Sequence, residues 1–382
     1  MQICGKNVET GAAVTLAVAE GRIAGLQPGE DSAALGGPDV WLAPGMMDIQ
    51  VNGYGGCDFN GNAAKHELPK IVDKLAAAGT ALFCPTVCTA GREAIQNRMA
   101  TIAAWLEEDA RAARAVPGLH LEGPYIASED GARGAHPLEH TRDPDWDEFC
   151  RFQEAAGGRI KICTLAPERE GALAFIEKLV EAGVVAAIGH TAASPEVIGN
   201  AVRAGARLST HLGNGAHQLL PRHPNYIWEQ LAQDALTASL IADGQHLPAS
   251  VVKAMARVKG PERLILVSDA VALGGMPPGL YANGTREVLE SGRVNLAGTP
   301  YLAGAGHLLD TCVANALRFT DLTMAEAIGC VSAVPARLLS LQGRKGAIQI
   351  GYDADLTLFR LPQEGPLEIV ATLCGGEIAY QA

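Results

Sequence analysis

Hydrophobic and polar positions follow two alternating periods along most of the chain. Short apolar runs are separated by segments in which apolar residues step by three and four, as at Ile95, Met99, Ile102 and Leu106. The runs are typical of buried parallel strands, and the stepped segments are typical of amphipathic helices. Eight strands are predicted, at 46–51, 81–87, 119–121, 160–165, 184–188, 206–210, 237–242 and 264–268. This alternation predicts an α/β fold, a (β/α)8 TIM-type barrel.

Residues 186–217 illustrate one repeat of this pattern. An apolar run leads into His190, and Ser194 then begins a helix as its N-cap, followed by proline and an acid in the first turn. Gly205 ends the helix, and a second apolar run leads into His211. Because the carboxyl ends of barrel strands line one mouth, the two imidazoles are well placed to share a metal ion. The alternative is a pair of hydrogen-bonded loop histidines.

The two ends of the chain show a different pattern, with short strands and turns and no long helical period. We therefore predict a small β-sandwich domain built from residues 1–43 and 343–382, flanking a barrel over residues 44–342. Residues 272–305 contain many Gly and Pro residues, and they predict a long excursion at the barrel mouth.

Composition restricts the class of partner. The formal net charge of −12 argues against a nucleic-acid or anionic-membrane surface, so an anionic substrate needs a local positive pocket. No apolar run is long enough to cross a bilayer, and the N-terminal residues lack the pattern of a signal peptide. Nine scattered cysteines without a C-x-x-C motif predict reduced core residues in a cytoplasmic protein.

Four predicted strand ends carry candidate chemistry: Glu122, His190, His211 and Asp269. A catalytic zinc site keeps three carboxylate or imidazole ligands plus water, and it lowers the pKa of that water to about 7. Glu122 and the two histidines satisfy this requirement, and Asp269 is placed to accept the proton and pass it to a leaving group. Taken singly, Glu122 can also be a loop salt bridge and Asp269 an N-cap.

Motifs along nearly the whole chain resemble those of the N-acetylglucosamine-6-phosphate deacetylases of the amidohydrolase superfamily. The matching segments are PGMMD (44–48), HLEGP (120–124), GHT (189–191), THLGN (210–214), IADGQH (241–246), VSDA (267–270) and VPAR (334–337). The resemblance implies hydrolysis of the N-acetyl amide of N-acetyl-D-glucosamine 6-phosphate, which gives glucosamine 6-phosphate and acetate in amino-sugar catabolism. It also implies a cytoplasmic homodimer whose substrate is a small amino-sugar phosphate.

By the same resemblance, Glu122, His190 and His211 bind one divalent metal ion. Zinc is the leading candidate, and iron or cobalt accepts similar ligands. Asp269 matches the general base and acid, and His136 matches a histidine that polarises the acetyl carbonyl.

The resemblance also assigns substrate contacts. The assigned residues are Gly123, Asn214, the backbone of Gly215, Arg222 and His246. His246 matches a sugar contact, whereas Asn214, Gly215 and Arg222 match phosphate contacts. In related deacetylases the matching arginine crosses a dimer interface. From the residues alone, His136 and His246 can equally be ordinary loop histidines, and Arg222 an exposed loop arginine.

Departures from the pattern concern the metal count and the substrate. Gln50 and Asn52 stand where many amidohydrolases have His-x-His, and amides are poor zinc ligands, so these are vestigial second-metal positions. The loop after His211 and the insertion before His136 also differ from those of the family. Alternatives are therefore an amidohydrolase acting on another N-acyl amino sugar, such as N-acetylgalactosamine 6-phosphate, or on a cyclic amide. A third alternative is a non-catalytic sugar-phosphate sensor. Asp269 argues against it, because a protein that only binds has little use for a carboxylate facing metal-bound water.

Overall fold

The computed structural model describes residues 1–61, 67–299 and 301–382, which contain two large sheets and two small ones. The strands are β1 Gln2–Asn7, β2 Ala13–Ala19, β3 Arg22–Pro28, β4 Leu35–Pro44, β5 Met46–Val51, β6 Gly53–Tyr54, β7 Cys57–Asp58, β8 Thr80–Cys88, β9 Leu119–Glu122, β10 Ile160–Leu165, β11 Val185–Ile188, β12 Leu208–Ser209, β13 Thr237–Leu240, β14 Leu264–Leu266, β15 Gly279–Tyr281, β16 Arg286–Val288, β17 Val294–Leu296, β18 Leu356–Arg360, β19 Glu368–Cys374 and β20 Glu377–Gln381. The helices are α1 Pro69–Ala77, α2 Arg92–Glu108, α3 Ala110–Ala115, α4 Trp146–Ala155, α5 Ala172–Glu181, α6 Pro195–Ala204, α7 Tyr226–Ala232, α8 Ala249–Lys259, α9 Leu309–Phe319, α10 Met324–Gly329 and α11 Ala333–Leu338.

Eight parallel strands form the barrel, in the order β5-β8-β9-β10-β11-β12-β13-β14. A parallel bridge between Val51 and Ala270 brings the first and last strands together. At the same seam, the N–H of Asp269 donates to the carbonyl oxygen of Gln50 at 3.0 Å. The (β/α)8 prediction is confirmed, and all eight predicted strands are present. The strand predicted at 206–210 is the shortest, reduced to Leu208–Ser209.

The predicted helix signals are found at α6. The Ser194 side chain accepts a hydrogen bond from the N–H of Val197, Pro195 occupies the first turn, and Gly205 follows the helix with φ 114°. A residue that carries a Cβ is strained at such a φ, so glycine is favoured at this helix end. The apolar face predicted for α2 is likewise buried. These local signals therefore set where the helices begin and end around the barrel.

Both chain ends join one further sheet, as predicted. Its seven strands are continuous, in the order β20-β19-β18-β4-β1-β2-β3, and they enclose a core cluster that includes Ile3, Leu16, Leu42 and Leu358. Strand β4 was not predicted because Gly36, Gly37 and Pro38 interrupt it; the irregular pairing with β1 accommodates them. One residue, Gly45, separates the end of β4 from the first barrel strand, β5. The domain boundaries stay a prediction.

The excursion predicted at 272–305 contains a small three-stranded antiparallel sheet, β15-β16-β17. Its strands are three residues each and lie between turns, so no apolar period marks them in the sequence. The segment therefore has more regular structure than its Gly and Pro content suggests.

Two findings bear on the chain's environment. All nine cysteines lie within the described residues, and none forms a disulfide. No helix in the described part of the chain has both the length and the apolar character needed to cross a membrane.

Candidate functional site

Four of the predicted site residues lie where barrel strands end. Glu122 is the last residue of β9, and His190 and His211 follow β11 and β12 by two positions. His190, His211 and Asp269 have φ values of 50°, 31° and 52°, in the left-handed region that residues with a side chain rarely adopt. Such conformations concentrate at functional sites, where the surrounding structure holds them. The chain thus turns sharply at each of these three strand ends.

The side chains of Glu122, His190 and His211 meet in a buried cluster. Nε2 of His190 lies 3.1 Å from Oε1 of Glu122 and 3.1 Å from Nε2 of His211. Nε2 of His211 lies 2.9 Å from the same oxygen of Glu122. His136 joins from the loop after β9, with its Nε2 3.2 Å from Nε2 of His190. The ligand atoms of Glu122, His136 and His190 also lie within 4.8 Å of one another.

The donor set fits a divalent cation. Nδ1 of His190 lies 3.1 Å from the carbonyl oxygen of Ala132, and donation there leaves Nε2 with a free lone pair. Nε2 of His190, Nε2 of His211 and Oε1 of Glu122 converge within 3.1 Å of one another, an arrangement that suits three ligands of one cation. Carboxylate oxygen and imidazole nitrogen are ligands that zinc accepts.

Electrostatics within the cluster agree with this fit. Burial alone would raise the pKa of Glu122, but the adjacent imidazoles of His190 and His211 outweigh it and hold the pKa well below its usual value. Burial would lower the pKa of His211, yet its hydrogen bond to Glu122 leaves the pKa raised. A metal ion binds the deprotonated imidazole nitrogen, so metal binding at His211 competes with protonation.

His136 is held as a neutral imidazole. Burial, together with the adjacent His190, lowers its pKa to about 3. Its Nδ1 lies 2.8 Å from Oγ1 of Thr89, a residue that sequence reasoning missed. Gly123, at φ 76°, leaves the space that Thr89 occupies, because a Cβ there would collide with Oγ1. The N–H of Gly123 is bound to the carbonyl of Thr164, so Gly123 contributes space rather than an amide donor.

Gln50 and Asn52 each donate a hydrogen bond to a carboxylate. Nε2 of Gln50 lies 3.0 Å from Oε1 of Glu122, and Nδ2 of Asn52 lies 2.6 Å from Oδ1 of Asp269. Burial, followed by the charge of Glu122, raises the pKa of Asp269. A carboxyl whose pKa moves towards neutrality suits proton transfer in both directions.

Cys88 differs from its prediction as a core residue. It is the last residue of β8, and its Sγ contacts Oδ1 of Asn52 at 2.9 Å and Oε2 of Glu122 at 3.5 Å. Burial and the neighbouring carboxylates of Glu122 and Asp269 raise the pKa of its thiol well above the usual value. The apolar run around Cys88 concealed this position in the sequence, since only the register of β8 directs the sulfur to the mouth.

His246 is oriented by a buried acid. Its Nδ1 lies 2.8 Å from Oδ2 of Asp243, and its backbone N–H donates to Oδ1 of the same carboxylate at 2.9 Å. The Asp243 side chain is completely buried. Asp243 belongs to the IADGQH segment, and the sequence alone does not single it out. The contact fixes the ring and leaves Nε2 for another partner.

The predicted phosphate contacts are only partly brought together. Asn214 and Gly215 lie three and four positions after His211, and Nδ2 of Asn214 donates to the carbonyl of His211 at 3.2 Å. Arg222 is exposed and forms no ion pair with the residues that the structure describes. Its guanidinium is therefore available to bind a ligand or a neighbouring chain.

Comparison with known proteins gives consistent matches. The model of the amidohydrolase family matches residues 41–380. An N-acetylglucosamine-6-phosphate deacetylase of Bacillus subtilis (strain 168) is 32% identical over 90% of this chain and 85% of its own length. An N-acetylgalactosamine-6-phosphate deacetylase of Escherichia coli O157:H7 is 33% identical over 89% of each chain. A solved mutant of N-acetyl-D-glucosamine-6-phosphate deacetylase from Mycobacterium smegmatis, in complex with N-acetyl-D-glucosamine-6-phosphate, has 30% identity and a TM-score of 0.87, covering 99% of both chains.

Proposed function

The chain belongs to the amidohydrolase family, and we propose that it hydrolyses the N-acetyl amide of N-acetyl-D-glucosamine 6-phosphate to glucosamine 6-phosphate and acetate, in amino-sugar catabolism. The observation that carries the proposal is the convergence of Glu122, His190 and His211 on one point. Asp269 lies near enough for the charge of Glu122 to help raise its pKa. A carboxylate facing such a cluster has little use in a protein that only binds sugar phosphates.

Glu122, His190 and His211 would hold one divalent cation, with zinc as the leading candidate. When bound, the cation supplies acidity to water and polarises the acetyl carbonyl. His211 is preferred over His136 as third ligand because it lies at a strand end and contacts the same oxygen of Glu122 at 2.9 Å. The amides of Gln50 and Asn52 donate hydrogen bonds where a second cation would need lone pairs, so the metal count is one.

Asp269 performs both proton transfers. Asn52 occupies its Oδ1, and its raised pKa favours taking a proton from the attacking water and returning it to the leaving amine. As the water oxygen bonds to the acetyl carbon, negative charge develops on the carbonyl oxygen. The neutral His136, oriented by Thr89, donates a hydrogen bond to that oxygen. The carbon–nitrogen bond then breaks, and acetate and the free amine leave.

Asn214, the backbone N–H of Gly215 and Arg222 bind the 6-phosphate, and His246 contacts the sugar. Arg222 acts on the neighbouring subunit of a homodimer, which agrees with its exposure and with its lack of an ion pair among the described residues. We place the protein in the cytoplasm, in keeping with its nine free cysteines.

A second substrate is favoured by one observation. The N-acetylgalactosamine-6-phosphate deacetylase of Escherichia coli O157:H7 matches this chain at 33% identity, against 32% for the N-acetylglucosamine-6-phosphate deacetylase of Bacillus subtilis (strain 168). N-acetylgalactosamine 6-phosphate is therefore the competing substrate, and it requires the same chemistry.

An acetate-release assay separates these possibilities. N-acetylglucosamine, N-acetylgalactosamine and N-acetylmannosamine are each supplied with and without the 6-phosphate, and kcat/KM is measured for all six. We expect the highest value for N-acetylglucosamine 6-phosphate. Asp269→Asn, purified in parallel, controls for contaminating host activity. Absence of acetate release from every substrate by the metal-loaded protein would refute the proposal.

A further inference from the structure

The orientation of the Asn52 amide is dictated at one end by Asp269. Nδ2 of Asn52 lies 2.6 Å from Oδ1 of Asp269. Oδ1 of Asp269 accepts this hydrogen bond, so the NH2 group faces Asp269, and the carbonyl oxygen faces away. The reversed amide would set oxygen against oxygen and release Asp269 from its only hydrogen-bond donor recorded among the described side chains.

The other end of the amide faces Cys88. Sγ of Cys88 lies 2.9 Å from Oδ1 of Asn52, and because that oxygen only accepts, the thiol must donate. The backbone N–H of Cys88 donates to Oδ1 of Asn60 at 2.7 Å, and Nδ2 of Asn60 donates to the carbonyl of Thr86 at 2.9 Å. Asn60 therefore fixes the end of β8, and with it the position of the sulfur.

We propose that Cys88 is a positioning residue for the proton-transfer group: its thiol orients the amide of Asn52, which in turn holds Oδ1 of Asp269. The relay runs from the S–H of Cys88 to Oδ1 of Asn52, and from Nδ2 of Asn52 to Asp269. It leaves Oδ2 of Asp269 free to exchange protons. The inference rests on the proposed function, because it takes the role of Asp269 from there.

Three features favour this role over packing alone. The sulfur is at the mouth end of the strand, it lies nearer to the amide oxygen than to Oε2 of Glu122 (2.9 Å against 3.5 Å), and the amide has two chemically different ends that need a donor on one side. A side chain that only fills space would leave the carbonyl oxygen of Asn52 without this donor.

The test compares two substitutions that separate donation from volume. Cys88→Ser keeps a donor and is smaller, whereas Cys88→Val keeps similar bulk and has no donor. If the thiol orients Asn52, Cys88→Val should lower kcat about three- to tenfold, the effect of one lost hydrogen bond, with KM and metal content unchanged. Cys88→Ser should retain a clearly higher kcat than Cys88→Val. A packing role predicts the opposite order.

The same pair is then made in an Asn52→Ala background. There the relay is already broken, so Cys88→Val and Cys88→Ser should have equal kcat values. A persisting difference would overturn the proposal, as would loss of metal in Cys88→Val, which would show that the thiol acts on Glu122. The wild type reports separately on the proposed function: if it releases no acetate, that function fails. The relay is then judged from the unfolding free energies of the same four variants, in which the preference for Ser over Val should again vanish without Asn52.

Discussion

The backbone of Gly215 lies against the imidazole of His190, so closely that a Cβ at position 215 would come within 2.5 Å of Nδ1 and 2.6 Å of Cε1. Gly215 also has φ 55°, which glycine adopts without strain. Since Nδ1 of His190 is fixed by the carbonyl of Ala132, the ring cannot yield without losing that contact. The loop proposed to bind phosphate thus also sets the orientation of a proposed metal ligand.

Gly215→Ala should therefore weaken metal binding as well as phosphate binding. Disturbing the partner of a metal-ligating histidine typically costs 10- to 100-fold in affinity, and we expect a loss of about tenfold or more. Titration against a chelator of known affinity measures it. Gly199→Ala is the matched control, because a Cβ there, on helix α6, meets nothing closer than 3.5 Å. Equal metal affinity in the two variants would contradict the coupling.

The number of metal ions follows from the amides at positions 50 and 52. We expect one equivalent of divalent metal per purified chain, and His190→Ala should lose both metal and activity. Elemental analysis of the wild type and the variant provides the check. Two equivalents in the wild type would refute the single site and would mean that Gln50 and Asn52 give up their hydrogen bonds to carboxylates.

The sequence predicted those strands and helices whose position is determined by neighbouring residues, such as apolar runs and helix caps. The strand at Ile160–Leu165 matches its apolar run, and helix α6 follows its N-cap and C-terminal glycine. Strand β4 was missed, because its central residues disfavour a strand and it forms only by pairing with β1 and β18. Those partners are remote in sequence, so no local pattern announces them.

The same distinction applies to the site. Glu122, His190 and Asp269 were predicted because a polar residue that follows a buried strand stands out against the apolar run. Cys88 and Thr89 were not, because a thiol or hydroxyl at a strand end looks like any other small core residue. Their contacts depend on the register of β8 against its neighbours, which the sequence does not reveal.

Asp269→Asn should retain the metal and the fold but lose turnover by about 10² to 10⁴, because the amide cannot accept a proton. The variant keeps an oxygen that can face Nδ2 of Asn52, so the relay survives. The single-turnover rate and the metal content are measured on the same preparation. A rate within tenfold of the wild type would assign proton transfer to another group.

Asp48 should make stability depend on pH. It is completely buried beneath the seam of the barrel, and burial raises its pKa to about 7. Because the folded pKa lies above the unfolded one, its contribution is complete below about pH 4 and is lost as the pH rises towards 7, by at most about 1.4 kcal/mol per pH unit. Asp48→Asn removes this dependence.

Urea unfolding of the wild type and Asp48→Asn at pH 4.5, 5.5 and 7.5 measures the effect. The variant should gain stability relative to the wild type as the pH rises. The exposed Asp39 provides the control, and Asp39→Asn should run parallel to the wild type. Parallel curves for Asp48→Asn as well would mean that the buried carboxyl stays ionised throughout.

Arg222 should distinguish phosphorylated from unphosphorylated substrates. A hydrogen bond to a charged group contributes roughly 1.5–3 kcal/mol, so Arg222→Ala should lower kcat/KM about 10- to 100-fold for N-acetylglucosamine 6-phosphate. The value for unphosphorylated N-acetylglucosamine should hardly change. Arg151→Ala, at an exposed arginine on helix α4, controls for the loss of one surface charge. Equal losses on both substrates would remove the phosphate role.

Whether Arg222 reaches its own active site or its partner's is decided by mixed dimers. Arg222→Ala and Asp269→Asn chains are co-expressed with different affinity tags, and the doubly tagged dimer is purified. If Arg222 crosses the interface, one site combines an intact Asp269 with an intact Arg222, and the mixed dimer should show about half the wild-type rate on the phosphorylated substrate. If Arg222 serves its own chain, each site carries one defect, and the rate stays at the level of the parent variants. That result would leave the phosphate contact standing and remove the partner subunit from the site.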